Sequence, residues 1–183
     1  MSTISATRTS IPTGTWNVDP VHSQVAFAVE YMVGTFRGSF SPVDARLVVG
    51  EDGSASLTGS APVSGVKVQE ENLSGHLQSP DFFDAERYPT VQFTAKDISL
   101  DGETVKVEGD LTIKGTTHAA DVTGTVTSPL TDPYGRERIG LKLETRVDRT
   151  QFGVNWNNPL PNGDQALAND VTVVAELFFV KSA

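Results

Sequence analysis

The sequence predicts an all-β protein: an extended eight-stranded antiparallel β-barrel with one or two short helical segments and a long loop near its mouth. Three observations predict it. Valine and threonine make up 42 of the 183 residues, and branching at Cβ suits a pleated, half-buried surface better than a helix. Apolar and polar side chains alternate over eight or more residues in several runs, the mark of antiparallel strands with one wet face. The runs are also longer than the roughly six residues usual in a sandwich strand, and eight long strands close into a barrel because closure removes exposed edges.

A short first strand is read near 15–19, and long strands near 22–31, 36–49, 54–66, 90–100, 104–114, 118–130, 137–148 and 170–181. In the first long strand Val25, Phe27, Val29 and Tyr31 share one parity, with Gln24, Ala26, Ala28 and Glu30 on the other. Val105, Val107, Leu111 and Ile113 alternate with Lys106, Glu108, Asp110, Thr112 and Lys114. Ile139, Leu141, Leu143 and Val147 alternate with Lys142, Glu144, Arg146 and Asp148. Turn chemistry separates the runs. Glu51-Asp52-Gly53 and Asp101-Gly102-Glu103 carry the Asp-Gly pair of tight hairpins. Asp132-Pro133-Tyr134-Gly135 has the proline-second, glycine-fourth order of a type I turn.

Two stretches break the alternation. Residues 69–88 allow one or two helical turns and a crossing segment that lays Phe82 and Phe83 onto the barrel. Residues 149–169, rich in Asn, Pro and Gly, form a loop long enough to be functional or mobile. Residues 1–14 read as a flexible N-terminal tail and 15–183 as a single barrel domain.

Composition removes several function classes. Fourteen Lys and Arg against 23 Asp and Glu give a formal charge of −9, which repels phosphate backbones and anionic membrane faces, so no nucleic-acid partner is expected. The absence of cysteine removes disulfides, thiolate nucleophiles and cysteine-bound metal clusters. No window approaches the eighteen apolar residues of a membrane helix, so the protein is not expected to be membrane-embedded. The first sixteen residues lack the apolar run of a secretory signal. A cytoplasmic location is therefore expected, or a periplasmic or exported one had a leader been removed.

Catalytic chemistry is scarce. His22, His76 and His118 lie far apart, and none has a second ligand at strand or helix spacing, so no metal site is expected. His22 reads as the cap of a strand and His118 as a solvated hairpin residue, leaving His76 in the crossing segment as the notable one. Asp19, His22 and Ser23 spell a triad that positions on one turn cannot assemble. Ile113-Lys114-Gly115 inverts the Gly-Lys order of a phosphate loop. The inward parity carries Val, Phe, Leu, Ile and Ala almost without charge. An eight-stranded barrel is wide enough to be filled by its side chains or to hold one small ligand, which here would be hydrocarbon-like.

The motifs resemble the YceI-like family of polyisoprenoid-binding proteins from Trp16 to Val180. Trp16-Asn17-Val18-Asp19 with His22-Ser23 resembles the opening W-x-x-D-x-x-H-S, and Arg37-Gly38-Ser39-Phe40 the R-G-x-F. His76-Leu77, Ser79 and Asp81-Phe82-Phe83-Asp84 resemble H-L-x-S-x-D-F-F-D, continued by Tyr88-Pro89 and Phe93. Gly109 to Gly115 resembles the G-x-L-T-I-x-G hairpin, Arg149 with Phe152-Gly153 the R-x-x-F-G, and Asp170-Val171 the start of the last strand. The resemblance implies a lipocalin-like barrel holding a long isoprenoid chain or similar lipid. With it go structural roles: Trp16 plugging one end, Gly109, Gly115 and Gly153 serving turns, and Asp19 with Arg149 as a charge pair. The chain departs from the pattern at Tyr31-Met32, where many members have His-Met, and at Leu73-Ser74, where many have Arg-Asp. Both changes remove polar groups near the expected mouth and would alter the head group accepted there.

The expected function is non-enzymatic binding, storage or transport of a polyisoprenoid, isoprenoid quinone or similar long-chain lipid, with no cofactor. Val25, Phe27, Val29, Leu47, Phe93, Leu111, Ile113, Leu141 and Leu143 would line the tunnel. Phe36, Phe82, Phe83, Phe152 and Trp156 would gate it, with Tyr31 or His76 available to a polar head. Two alternatives use the same barrel. One is an isomerase or hydrolase acting on the enclosed lipid through His76 or Tyr31; the other is a packed barrel acting as a protein-interaction module. The last strand is apolar on both parities (Val174, Phe178 and Val180 against Val173, Leu177 and Phe179), so a homodimer covering its outer face is a further expectation.

Overall fold

The computed structural model describes residues 11–182. In chain order the elements are β1 (Gly14–Val18), β2 (Gln24–Tyr31), β3 (Gly34–Phe40), β4 (Asp44–Val49), β5 (Ala55–Pro62), β6 (Val66–Lys67) and α1 (Glu71–Gln78). They continue with β7 (Thr90–Asp101), β8 (Thr104–Ile113), β9 (Thr116–Val126), β10 (Leu130–Thr131), β11 (Glu137–Asp148) and β12 (Leu167–Lys181). Single 3-10 turns occupy Val63–Gly65 and Arg149–Phe152.

Eight strands close a ring in the order β11-β9-β8-β7-β5-β4-β1-β12, with β12 returning to β11. The neighbours pair antiparallel. The 15-residue β12 is the post on which the ring closes. One edge pairs with β11 from Asp170 to Val180. The other is shared: Val171 to Glu176 hold β2, and Phe179 to Lys181 hold β1. The β2-β3 hairpin, extended by β6, therefore occupies at one end of the barrel the place that β1 and β4 occupy at the other.

This corrects the sequence expectation in two places. The long strand near 22–31 is not one of the eight that close the ring, whereas the short first strand is. The run 36–49 is two strands, parted at Ser41-Pro42. Proline has no N–H for a ladder, and the Ser41 N–H turns away to the Gly65 carbonyl at 3.2 Å. The expected strand 54–66 likewise stops at Pro62. In the β8-β9 hairpin Lys114 and Gly115 both take positive φ (52° and 74°), the type I′ geometry that matches strand twist. Gly109 serves no turn: it lies inside β8, where the Phe93 ring covers the space its side chain would fill.

The apolar interior falls into two clusters along the barrel. One seals the β1 end around Trp16, Leu47, Val105, Val107, Leu141 and Phe179. Trp16 and Phe179 are wholly buried, and the Trp16 indole N–H donates to the Pro12 carbonyl at 3.0 Å. Ile11 is buried in the same cluster, so the described part of the expected tail packs on the barrel; residues 1–10 of that tail lie outside the described residues. The second cluster gathers at the β2 end around Val29, Phe40, Leu77, Phe82, Phe152 and Leu167. A surface network braces the sealed end. Arg138 bonds Asp132 at 2.7 Å and Asp19 at 3.2 Å, and His22 meets Asp19 at 2.7 Å. Asp19 thus pairs with Arg138 and His22, not with Arg149 as expected.

Candidate functional site

The β2 end of the barrel is hollow. A cavity of about 300 Å³ opens there, within the range of small-molecule sites. Its floor and walls come from inward positions of β2, β8 and β12, and its rim from α1, the crossing segment and the loop after the second 3-10 turn. Tyr31, Phe36, Phe83, Ile113 and Val171 point inward yet remain only partly buried, because they face this space.

Each rim segment has a local cause. Helix α1 starts where the Glu70 carboxylate accepts the Leu73 N–H at 2.9 Å, satisfying one of the first-turn donors. Leu73, His76 and Leu77, spaced i, i+3 and i+4 on one helical face, all line the cavity. The chain then folds back on Ser79, whose carbonyl accepts from Phe82 and Asp84 N–H. This tight return drops the Phe82 ring inward. Opposite it, Trp156 packs against Phe82 at a tilt (5.3 Å between centroids, 37° between planes) and meets His76 edge-on at 5.2 Å. His76 also bonds Asp81 at 3.0 Å.

Two basic residues hold the rim. Arg149 is 6% exposed and gives its N–H groups to four backbone carbonyls. These are Val154 at 2.7 Å, Ala168 and Trp156 at 2.8 Å, and Leu167 at 3.3 Å. Val154 and Trp156 lie in the loop between β11 and β12, and Leu167 and Ala168 open β12, so one guanidinium ties the start of that loop to the strand it leads into. Burial pulls the Arg149 pKa below its ordinary value, and the nearby Asp148 carboxylate works against that shift. Lys114, at the tip of the β8-β9 hairpin, donates to the Pro80 carbonyl at 2.8 Å and the Gly153 carbonyl at 3.2 Å. It joins the crossing segment to the loop.

Of the sequence-predicted residues, Val25, Phe27, Val29, Tyr31, Phe36, His76, Phe82, Phe83, Leu111, Ile113, Phe152 and Trp156 line this cavity. Phe93 and Leu143 instead line a second, deeper cavity of about 130 Å³. Leu47 and Leu141 line neither: at 1% and 4% exposure they are packed in the cluster that seals the far end. Their parity is inward, but they stand at the wrong height. His22 lies at that end too, on Asp19, while His118 stacks edge-on against Phe152 at 5.3 Å. Its Nε2 lies 3.0 Å from the Gln151 carbonyl, so it braces the second 3-10 turn while staying exposed, as expected of a hairpin residue.

Sequence reading missed Phe40, Leu73, Leu77, Val91, Val147, Arg149, Val154, Leu167, Val171 and Val173 among the lining residues. The i, i+3, i+4 spacing in α1 and the parity of Val171 and Val173 carried a signal. Arg149 stood out only through the R-x-x-F-G resemblance, and its place at the cavity carried no signal, because its partners are main-chain carbonyls brought together only by the fold.

Three comparisons bear on this arrangement. A family model, the YceI-like domain, matches residues 16–179. A UPF0312 protein of Staphylococcus epidermidis is 30% identical over 171 residues, covering 90% of this chain and 96% of that protein. A Staphylococcus aureus UPF0312 protein is 29% identical, with 88% and 94% covered. Among solved structures, Burkholderia cenocepacia BcnA superposes with a TM-score of 0.75 at 21% identity, covering 88% of this chain and 98% of that one. A polyisoprenoid binding domain from Saccharophagus degradans gives 0.64 at 13% identity, with 91% and 98% covered.

Proposed function

The chain belongs to the YceI-like family, and from that premise we propose that it binds a polyisoprenoid, an isoprenoid quinone or a similar long-chain lipid inside the barrel and releases it unchanged. One observation carries the reading: the open end of the barrel encloses a cavity whose walls are apolar, with polar groups confined to Tyr31, His76 and Arg149. Removing hydrocarbon from water is favourable by about 25 cal/mol per Å², so such a space needs no special chemistry to hold a chain. The structural relative described as a polyisoprenoid binding domain supports the same class of ligand. Arg149 spends its donors on the main chain, which leaves Tyr31 and His76 for a polar head near the rim.

The two tryptophans supply a test. Trp156 is at the rim and Trp16 is sealed at the other end. Titration with farnesol and with a short-chain ubiquinone should change tryptophan emission saturably, and Trp156→Phe should abolish the change. No response to either probe, in protein stripped of lipid by solvent, would overturn the reading. Catalysis is a second reading, favoured by the hydrogen-bonded His76–Asp81 pair beside the cavity. A bound lipid recovered with altered bonds would support it.

A further inference from the structure

We propose that the barrel interior is two chambers in series, and that the inner chamber sets the longest chain the protein retains; this rests on the lipid-binding reading above. The outer cavity and the deeper one share four lining residues: Val25, Val91, Leu111 and Val173. Val25 and Val173 stand on β2 and β12, Val91 and Leu111 on β7 and β8. In the closed ring β12 and β7 are four strand steps apart, which is halfway round. The four residues therefore stand on opposite sides of the barrel where the two spaces adjoin, and mark a waist between them.

The inner space exists because the strands around it present small side chains inward. Ala45, Gly59, Ala61, Ala120 and Ala175 come from β4, β5, β9 and β12 and line only this cavity. Gly59 is the informative one. A Cβ at Gly109 would meet the Phe93 ring at 2.5 Å, so that glycine makes room for an aromatic side chain. A Cβ at Gly59 would find its nearest neighbours at 3.6 and 3.8 Å, ordinary contact distances. A Cβ there fits without displacing any neighbour, and Gly59 itself lines the inner cavity. No charged group lines the inner chamber, and its lining is apolar apart from Ser60, Gln92 and Thr145, so it suits a hydrocarbon tail. A bound lipid would lie with its tail inward past Leu111 and its head in the outer chamber beside Tyr31 and His76.

The test is a chain-length profile. Geraniol, farnesol, geranylgeraniol and longer prenyl alcohols would be titrated against delipidated wild type, Gly59→Leu and Ala120→Val. Glycine inside a strand weakens it, so Gly59→Leu should hold or raise the melting temperature; Ala120→Val repeats the test should the leucine be too large. Each methylene buried should tighten binding about fourfold, until the space is full. Both variants should match wild type for geraniol and stop gaining affinity at a shorter chain. Folded variants whose profiles superpose on wild type at every length would overturn the ruler and leave lipid binding standing. A wild type that binds none of the alcohols would overturn both.

Discussion

Replacing Arg149 with lysine removes the clasp of the loop over the cavity while keeping the charge. Four carbonyl contacts are at stake. An ammonium has three donors radiating from one point, and from that point it can meet roughly two of these carbonyls. Hydrogen bonds to a charged group are worth about 1.5–3 kcal/mol each, so losing two costs about 3–6 kcal/mol. That is a large share of a domain stability of about 5–15 kcal/mol, and the variant stays folded where the starting stability exceeds about 6 kcal/mol. Urea unfolding followed by circular dichroism would read the loss. With a slope of about 1–3 kcal/mol per molar, the midpoint should fall by at least about 1 M. Amide exchange should rise in residues 154–168, and lipid affinity should fall with it because the Trp156 carbonyl has lost its tether. A lysine variant as stable as wild type, with unchanged exchange in that loop, would refute the clasp.

Two further predictions separate the open end from the sealed one. Leu111→Arg puts a guanidinium at the waist of the interior and should abolish lipid retention; retention by a folded variant would contradict the lining. Leu141→Ala, in the sealed cluster, should cost about 2–5 kcal/mol of stability in urea unfolding and leave lipid affinity unchanged. Acid unfolding tests the Arg138 network. Hydrogen bonds from His22 and Arg138 hold the Asp19 carboxyl down at about 2, and those from Arg138 and the Arg136 N–H do the same for Asp132. Both folded values lie below the unfolded value of about 3.9. The stability they add is therefore full above that value and lost as pH falls through about 2. Arg138→Gln should move the acid midpoint upward, and an unchanged midpoint would count against the network.

How much of this was legible follows from which signals are local. Period two marked nearly every strand, because parity is fixed by the pleat, and it assigned Val25, Phe27 and Val29 to the interior correctly. Parity says nothing about height along the barrel axis. Leu47 and Leu141 therefore looked like Leu111 in sequence, although they seal one end while Leu111 borders both chambers. Proline at 42 was visible but read as part of one strand; its missing N–H is what lets β3 and β4 diverge and the open end form. The empty spaces were illegible for another reason. A void is made by residues that are absent or small, such as Gly59 and Ala120, and alternation of apolar letters is the same whether a barrel is full or hollow. The clasp at Arg149 and the bridge at Lys114 depend on carbonyls that no side-chain pattern encodes.

The central claim is that the cavity holds a long-chain lipid, and native mass spectrometry of the purified protein, followed by solvent extraction and lipid analysis, tests it most directly. The expected result is a one-to-one adduct whose extracted ligand is built of repeated five-carbon units and leaves chemically intact. A bare mass, unchanged after incubation with prenyl alcohols and isoprenoid quinones, would contradict it.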